Sequence, residues 1–331
     1  MPLHDTTITG PASLRIQSVL YNNSQQHIDT ALESIGRAAD LAIASDALSS
    51  VEIALGDCSP EPVFTSEEIE TRAAKLRPQG VTRIQYTFFD ANLGSAAGQN
   101  RLLADLQTDL VLILNPDTVV APNIFGELVR PMRKPGVGIV EARQVPIEHP
   151  KDYDPVTGET SWAATACALV SSAVAKEVDG FDSEAFFLYC DDVDFSWRVR
   201  LAGYKVVFQP SAALFHDKRL STAGKWIVGG AEEYYSAEAA LILAHKYSNS
   251  ALADRIERQL LAQGSEVEKK VHRRKPWSLG ERLRNLTPDF MDVRRRNCSI
   301  ARHFRHWVAG QAIGWSGWSG RRAIAARCRS T

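Results

Sequence analysis

Short apolar, β-branched runs alternate with helical patterns through the first half of the chain, the signature of a parallel sheet covered by helices. Residues 14–21 (LRIQSVLY) read as a first strand and 27–44 as a helix. A second strand spans 51–55 and ends at Gly56-Asp57, a third spans 82–88, and DLVLIL at 109–114 reads as a fourth, central one. The helix between the third and fourth strands covers 95–106. Further on, 186–189 reads as an aromatic strand or edge, Asp191 as a helix N-cap, 193–202 as a helix closed by Gly203, and 204–208 as a strand before Pro210. There is no internal repeat, and the one low-complexity stretch is IGWSGWSG at 313–320.

In an open α/β sheet, ligands bind outside the carboxyl ends of the strands. The residues that follow the four strands are Tyr21-Asn22-Asn23, Gly56-Asp57-Cys58-Ser59, the run from Asn92 to Asn100, and Asn115-Pro116-Asp117. Each set alone is ordinary turn chemistry; four in register point to a site. Gly94 and Gly98 flank a helix start whose free N–H groups suit an anion, although Gly98 would also serve to pack the helix on the sheet. The spacing is not G-x-G-x-x-G, so the dinucleotide fingerprint is absent. Asp117 ends a buried strand where a divalent ion held by oxygens would bridge it to a diphosphate; its other reading is a turn or cap residue.

The densest segment runs from Gly180 to His216. Asp191 and Asp194 are explained by a helix dipole and by an i,i+4 pair from Asp194 to Arg198. Asp192 is not. It adds a third carboxylate to one turn, and such crowding raises a pKa and suits a general base. His216 alone reads as a satisfied loop histidine. Phe195 and Trp197 read as core, whereas Phe187 and Tyr189 would either line a cleft or pack as an alternating strand.

In this order, Tyr21-Asn22-Asn23, Asp57 to Ser59, Asn92-x-Gly94-x-x-x-Gly98-x-Asn100, Asn115-Pro116-Asp117, Gly180-Phe181-Asp182, Asp191-Asp192-x-Asp194, Arg198, Gly203-Tyr204 and His216 resemble family 2 glycosyltransferases, especially the rhamnosyltransferase-like branch. The resemblance covers residues 14–248. It implies a GT-A type, Rossmann-like α/β fold with a mostly parallel sheet flanked by helices. It also implies inverting transfer of a sugar from a nucleotide-diphosphate-sugar to a hydroxyl of a glycan or lipid-linked glycan. Asp57 would sit by the base, and Tyr21, Asn23, Asn92, Gly94, Gly98, Asn100, Asn115 and Asp117 would line the donor site. Asp117, last in the family's DxD motif, and His216 would hold Mg²⁺ or Mn²⁺. Asp192 matches the second carboxylate of the family's Glu-Asp pair, the catalytic base, with Asp191 beside it. Asn115 replaces the first acid of DxD, and Asp191 replaces the pair's Glu.

Composition then limits the alternatives. With 331 residues, 44% apolar and 23% charged, the chain is an ordinary globular protein long enough for one large α/β domain with additions. No apolar run reaches the roughly 18 residues of a membrane span, and the N-terminus lacks the order of a secretion signal, so a cytoplasmic protein is expected. The five cysteines are scattered and show no metal spacing. A net charge of −1 hides an asymmetry, since residues 265–331 carry 16 Lys/Arg against 5 Asp/Glu, interleaved with Trp277, Trp307, Trp315 and Trp318. We expect a short extension at 1–13, the transferase domain at 14–262 and a basic helical extension at 263–331. That extension would be either a peripheral anchor on an anionic membrane or an appended helical unit, with nucleic acid ranked behind lipid. A nucleotidyltransferase would show a Gly-rich, basic signature after the first strand, which Tyr21-Asn22-Asn23-Ser24 is not, and Asp192 argues against a non-catalytic binding module.

Overall fold

The computed structural model describes residues 5–149, 151–218, 227–247 and 250–274. The aromatic and basic run from Lys275 onward lies outside them, as does most of the expected extension. Four parallel strands, β1 (Ala12–Leu20), β2 (Leu48–Asp57), β3 (Val81–Phe88) and β4 (Leu110–Leu114), alternate with α1 (Gln25–Ala44), α2 (Ser66–Leu76) and α3 (Gly94–Leu103). They stand in the order β3-β2-β1-β4, with Ile16 opposite both Ile53 and Leu112. All five residues of β4 are buried, as expected of a strand covered on both faces. Ser24 caps α1, and Thr65 with Glu68 forms a capping box at α2.

The second half of the sheet is mixed. After β5 (Thr118–Val120) and α4 (Ile124–Met132) come β6 (Val137–Val145), β7 (Glu159–Thr160), β8 (Cys167–Ser171), α5 (Ser172–Glu177), α6 (Asp191–Leu201) and β9 (Lys205–His216). The order continues β4-β8-β6-β9-β5, with β7 pairing on β9. β8 is antiparallel to both β4 and β6, while β6 and β9 are parallel. The helices α7 (Gly230–Lys246), α8 (Ser250–Gln263) and α9 (Glu266–Arg274) pack on one another. The helical run thus crosses the boundary expected at 262.

Three local expectations need correction. Residues 186–189 are irregular turns, not a strand, because Phe186 N–H bonds Asp182 O and the backbone reverses at Tyr189 and Cys190 (φ 64° and 57°). The residue that caps α6 is therefore Cys190, and Asp191 is already helical. The last strand does not stop before Pro210. It passes through a bulge in which Ala142 faces Gln209 and Arg143 faces Ala213, so proline sits where no ladder N–H is required.

The core reading of α6 holds: Phe195 and Trp197 are buried, Phe195 stacking on Phe181 and Trp197 meeting Tyr247 edge to face. Asp194 is fully buried beneath them. It pairs with Arg198 Nε at 2.8 Å and Lys246 Nζ at 2.7 Å, and accepts from Tyr247 OH at 3.0 Å. Lys246 also bonds Asp182. Arg198 donates to Val178 O and Gly180 O, while the Asn100 amide brackets Phe181 through both its N–H and its C=O. Replacing Asp194 with Ala removes the anion shared by Arg198 and the buried Lys246 and should cost about 3 kcal/mol or more in urea unfolding. A loss under about 1 kcal/mol would show that the network does not hold α6 in place.

Candidate active site

The strand ends bring the predicted loops to one edge of the sheet. Tyr21 is 50% exposed there, and its N–H is fixed by Asn23 Oδ1. Asp57 is fully buried and serves the loop itself: it accepts from Ser59 N–H, Val63 N–H and Tyr86 OH, the last at 2.5 Å. Burial first, then this bond to Asp57, pushes the Tyr86 phenol up to about 12. Asn92 Oδ1 accepts Gly94 N–H. Gly94 has φ +72°, and a Cβ there would lie 2.2 Å from Phe187 O, so only glycine fits. The next N–H, of Ser95, donates to that same Phe187 O at 2.9 Å. Gly98 is used for close packing, since its Cβ would meet Val19 at 2.9 Å. Both ends of the Asn100 amide are engaged with Phe181.

Asn115, Asp117 and His216 do come together, although about a hundred residues separate them. Thr118 pairs with His216 across β5 and β9, and this register sets His216 Nε2 3.4 Å from Asp117 Oδ1 and 3.4 Å from Asn115 Nδ2. Asp217 N–H bonds Asp117 O. The other ring nitrogen, Nδ1, lies 2.8 Å from Gln144 Oε1. A carbonyl oxygen accepts from an N–H, so Nδ1 carries a proton, and in the neutral ring Nε2 presents its lone pair beside the carboxylate. An outer amide that orients a ligating imidazole is the arrangement metal sites use, so the donor set fits a divalent ion. Among the described residues no group of three or more His, Cys, Asp or Glu converges on one point, which leaves the remaining positions of such an ion to substrate and water.

The acidic turn lies where two helix N-termini meet. Tyr189 and Cys190, both left-handed without being glycine, swing the chain into α6, a strained conformation held by its surroundings. Asp191 is buried, receives the Ser95 hydroxyl, and keeps Oδ2 without a partner among the described residues. Asp192 is only half-buried, and its Oδ1 accepts Val193 N–H. Burial raises both carboxyls above the ordinary aspartate range, helped at Asp192 by the charge of Asp191 and at Asp191 by that of Asp194. Asp194, by contrast, is committed to Arg198 and Lys246.

Several residues at this edge carried no sequence signal. Gln144 comes from β6, a strand without a chemical motif. Lys218 is buried near Asp117 and Glu232; burial lowers its ammonium and lifts Glu232 to about 7. Phe187, which the sequence did single out, packs on Tyr235 of α7 at 5.1 Å between centroids. A buried ion pair of Lys151 with Glu141 lies close by.

No protein-family model matches the sequence. Over 69 residues it is 38% identical to an N-acetylglucosaminyl-diphospho-decaprenol L-rhamnosyltransferase of Mycobacterium tuberculosis, a match spanning 21% of this chain and 22% of that protein. It is 24% identical over 155 residues to protein y4gI of Sinorhizobium fredii, covering 38% of this chain and 17% of the relative. The fold is similar to that of a mannosyltransferase of Pyrobaculum calidifontis solved with GDP-Man and Mn²⁺, with a TM-score of 0.51 at 14% identity over 95% of this chain and 87% of that one. It is also similar to GalNAc-T7 solved with UDP, GalNAc and Mn²⁺, with a TM-score of 0.55 at 14% identity over 86% and 58% of the two chains. The chain therefore has the GT-A fold.

The raised carboxyls make stability depend on pH. A carboxyl that holds its proton more tightly in the folded state favours folding below the unfolded value of about 4, and that contribution is lost as pH rises through the raised folded value. Asp192→Asn, which stays neutral, should therefore melt above the parent protein at about pH 8, with the difference closing toward about pH 4. Calorimetry over that range checks this, and an Asn variant less stable throughout would show that the charge supports the fold.

Proposed function

We propose that the protein is an inverting glycosyltransferase that moves a sugar from a nucleotide-diphosphate-sugar to a hydroxyl of a glycan or lipid-linked glycan. The observation that carries this reading is a half-buried, proton-retentive Asp192 on the same sheet edge as the Asp117–His216 pair. Asp192 is the base because its carboxylate reaches the surface of the cleft, whereas Asp191 is enclosed. The Asp192 carboxylate takes the acceptor's hydroxyl proton as that oxygen bonds to the anomeric carbon, and the bond from that carbon to the diphosphate breaks on the opposite face. Mg²⁺ or Mn²⁺, when bound at Asp117 and His216, would offset charge on the leaving diphosphate. Gln144 fixes the His216 tautomer, and Tyr21, Asn23, Asp57, Asn92, Gly94 and Asn115 shape the donor side.

The rhamnosyltransferase of M. tuberculosis supports L-rhamnose as the first donor sugar to test and a polyprenyl-diphosphate glycan as the first acceptor. With such an acceptor the enzyme works at the cytoplasmic face of a membrane, and the basic, Trp-bearing extension supports peripheral contact there. No helix among the described residues is long and apolar enough to cross a membrane.

A thermal-shift panel of nucleoside diphosphates and their sugars, with and without Mn²⁺, tests the reading. A donor at 100 times its Kd should add about 2.7 kcal/mol of stability, and Asp117→Ala or His216→Ala should remove the Mn²⁺-dependent part. Asp192→Asn should lower turnover about 10²- to 10⁴-fold with donor affinity kept. Product anomers read by NMR test inversion. If no nucleotide sugar shifts the melting point, the reading fails.

A further inference from the structure

Where β5, β9 and β6 reach the carboxyl edge of the sheet, both of their faces are apolar. Val120 and Leu214 point into the core. The alternate positions carry Val119, Phe215 and Val145, which stand side by side in register, Phe215 lying opposite Val119 on one flank and Val145 on the other. A strand solvated on one face reads polar there, whereas strands apolar on both faces are covered on both. Nearer the centre of the sheet this face is covered, since Ile139 and Val206 pack in one cluster with Phe195 of α6. The edge row is not. Phe215 is 47% exposed, and Val119 and Val145 are only half-buried. A single exposed apolar residue needs no explanation, but a continuous row across three strands, about 10 Å wide, marks a surface built for a partner.

The setting of the row identifies its occupant. Phe215 precedes His216 and Val119 follows Asp117 by two residues, so the row begins beside the Asp117–His216 pair. Arg143 is exposed two residues from Val145 on β6, and side chains two apart on a strand share a face. β5 closes the strand order, so the row runs out to an open edge past which a chain of any length can continue. An apolar strip with a cation beside it and an open end fits an amphiphile with an anionic head and a long hydrocarbon tail. We infer that the row of Val119, Phe215 and Val145 holds the hydrocarbon chain of a lipid-diphosphate acceptor, with Arg143 facing its diphosphate. The inference rests on the lipid-linked acceptor of the reading above and names the surface that receives it. Phe215 fills the middle of the row, and it sets how much of the chain leaves water.

The test is isothermal titration of the full chain with farnesyl diphosphate, in chelator so that no divalent ion draws the diphosphate elsewhere. The parent protein should bind it about tenfold or more tightly than inorganic diphosphate, because burial of the chain adds affinity. Phe215→Ser should lose about tenfold for farnesyl diphosphate and nothing for inorganic diphosphate, and Phe215→Leu should restore most of that loss. Arg143→Gln should weaken both ligands, and more so at low salt. Equal affinity of the parent protein for the two ligands overturns the inference without any variant having to fold. A folded Phe215→Ser that binds farnesyl diphosphate like the parent also overturns it. A parent dimer that Phe215→Ser splits into monomers, with farnesyl diphosphate binding unchanged, assigns the row to a second copy and overturns the inference too. No sugar is transferred in this measurement, so its outcome is separate from that of the transferase reading. Binding at the row, with no nucleotide sugar shifting the melting point, would keep the lipid-diphosphate site and remove the transferase.

Discussion

The acidic turn stands on one buried carboxylate. Asp194 cannot be solvated, so its charge must be met by Arg198, Lys246 and Tyr247, and each partner leads to a different element. Arg198 reaches the carbonyls at 178 and 180, the segment that Asn100 of α3 brackets. Lys246 and Tyr247 bring in the end of α7. A single ionic centre thus fixes α6 against α3 and α7, and the two turns of functional interest, at 92–95 and at 189–192, inherit their geometry from it. Stability and site geometry share this support, whereas the carboxylates above it are held at a cost to stability near neutral pH.

The parallel half of the sheet was legible because its signals are local. Each strand is a short β-branched run followed by turn residues and an amphipathic helix, and periodicity reports all three. The mixed half was not. β6, β7 and β8 are joined by a long connection, and whether β8 enters antiparallel between β4 and β6 depends on packing that no local pattern records. The misread aromatic segment at 186–189 shows the same limit. Its alternation suits a strand, but the bond from Phe186 N–H to Asp182 O and the bond from Ser95 N–H to Phe187 O hold it as a turn.

Within the site, sequence reading identified residues better than their duties. Asn115, Asp117 and His216 meet as the motif order implied, yet Asn100 and Gly98, read with the donor loop, are occupied in bracing it. Gln144 and Glu141 on β6, and Lys151 in the connection after it, were invisible because a lone polar residue has no spacing to betray it. Only the fold shows that Gln144 orients a histidine and that Lys151 and Glu141 neutralise each other in a closed space.

The contact between Gly94 and the carbonyl of Phe187 has a consequence for how such a protein diversifies. On the proposed reading one loop belongs to the nucleotide side and the other leads into the turn that meets the acceptor, and they touch with the backbone of Gly94 directly against the carbonyl and ring of Phe187. A substitution that widens one binding pocket must displace the other by a similar amount. Donor preference and acceptor preference in this lineage are therefore not free to drift separately, and changes of specificity should come as paired substitutions, one near residue 94 and one near residue 187.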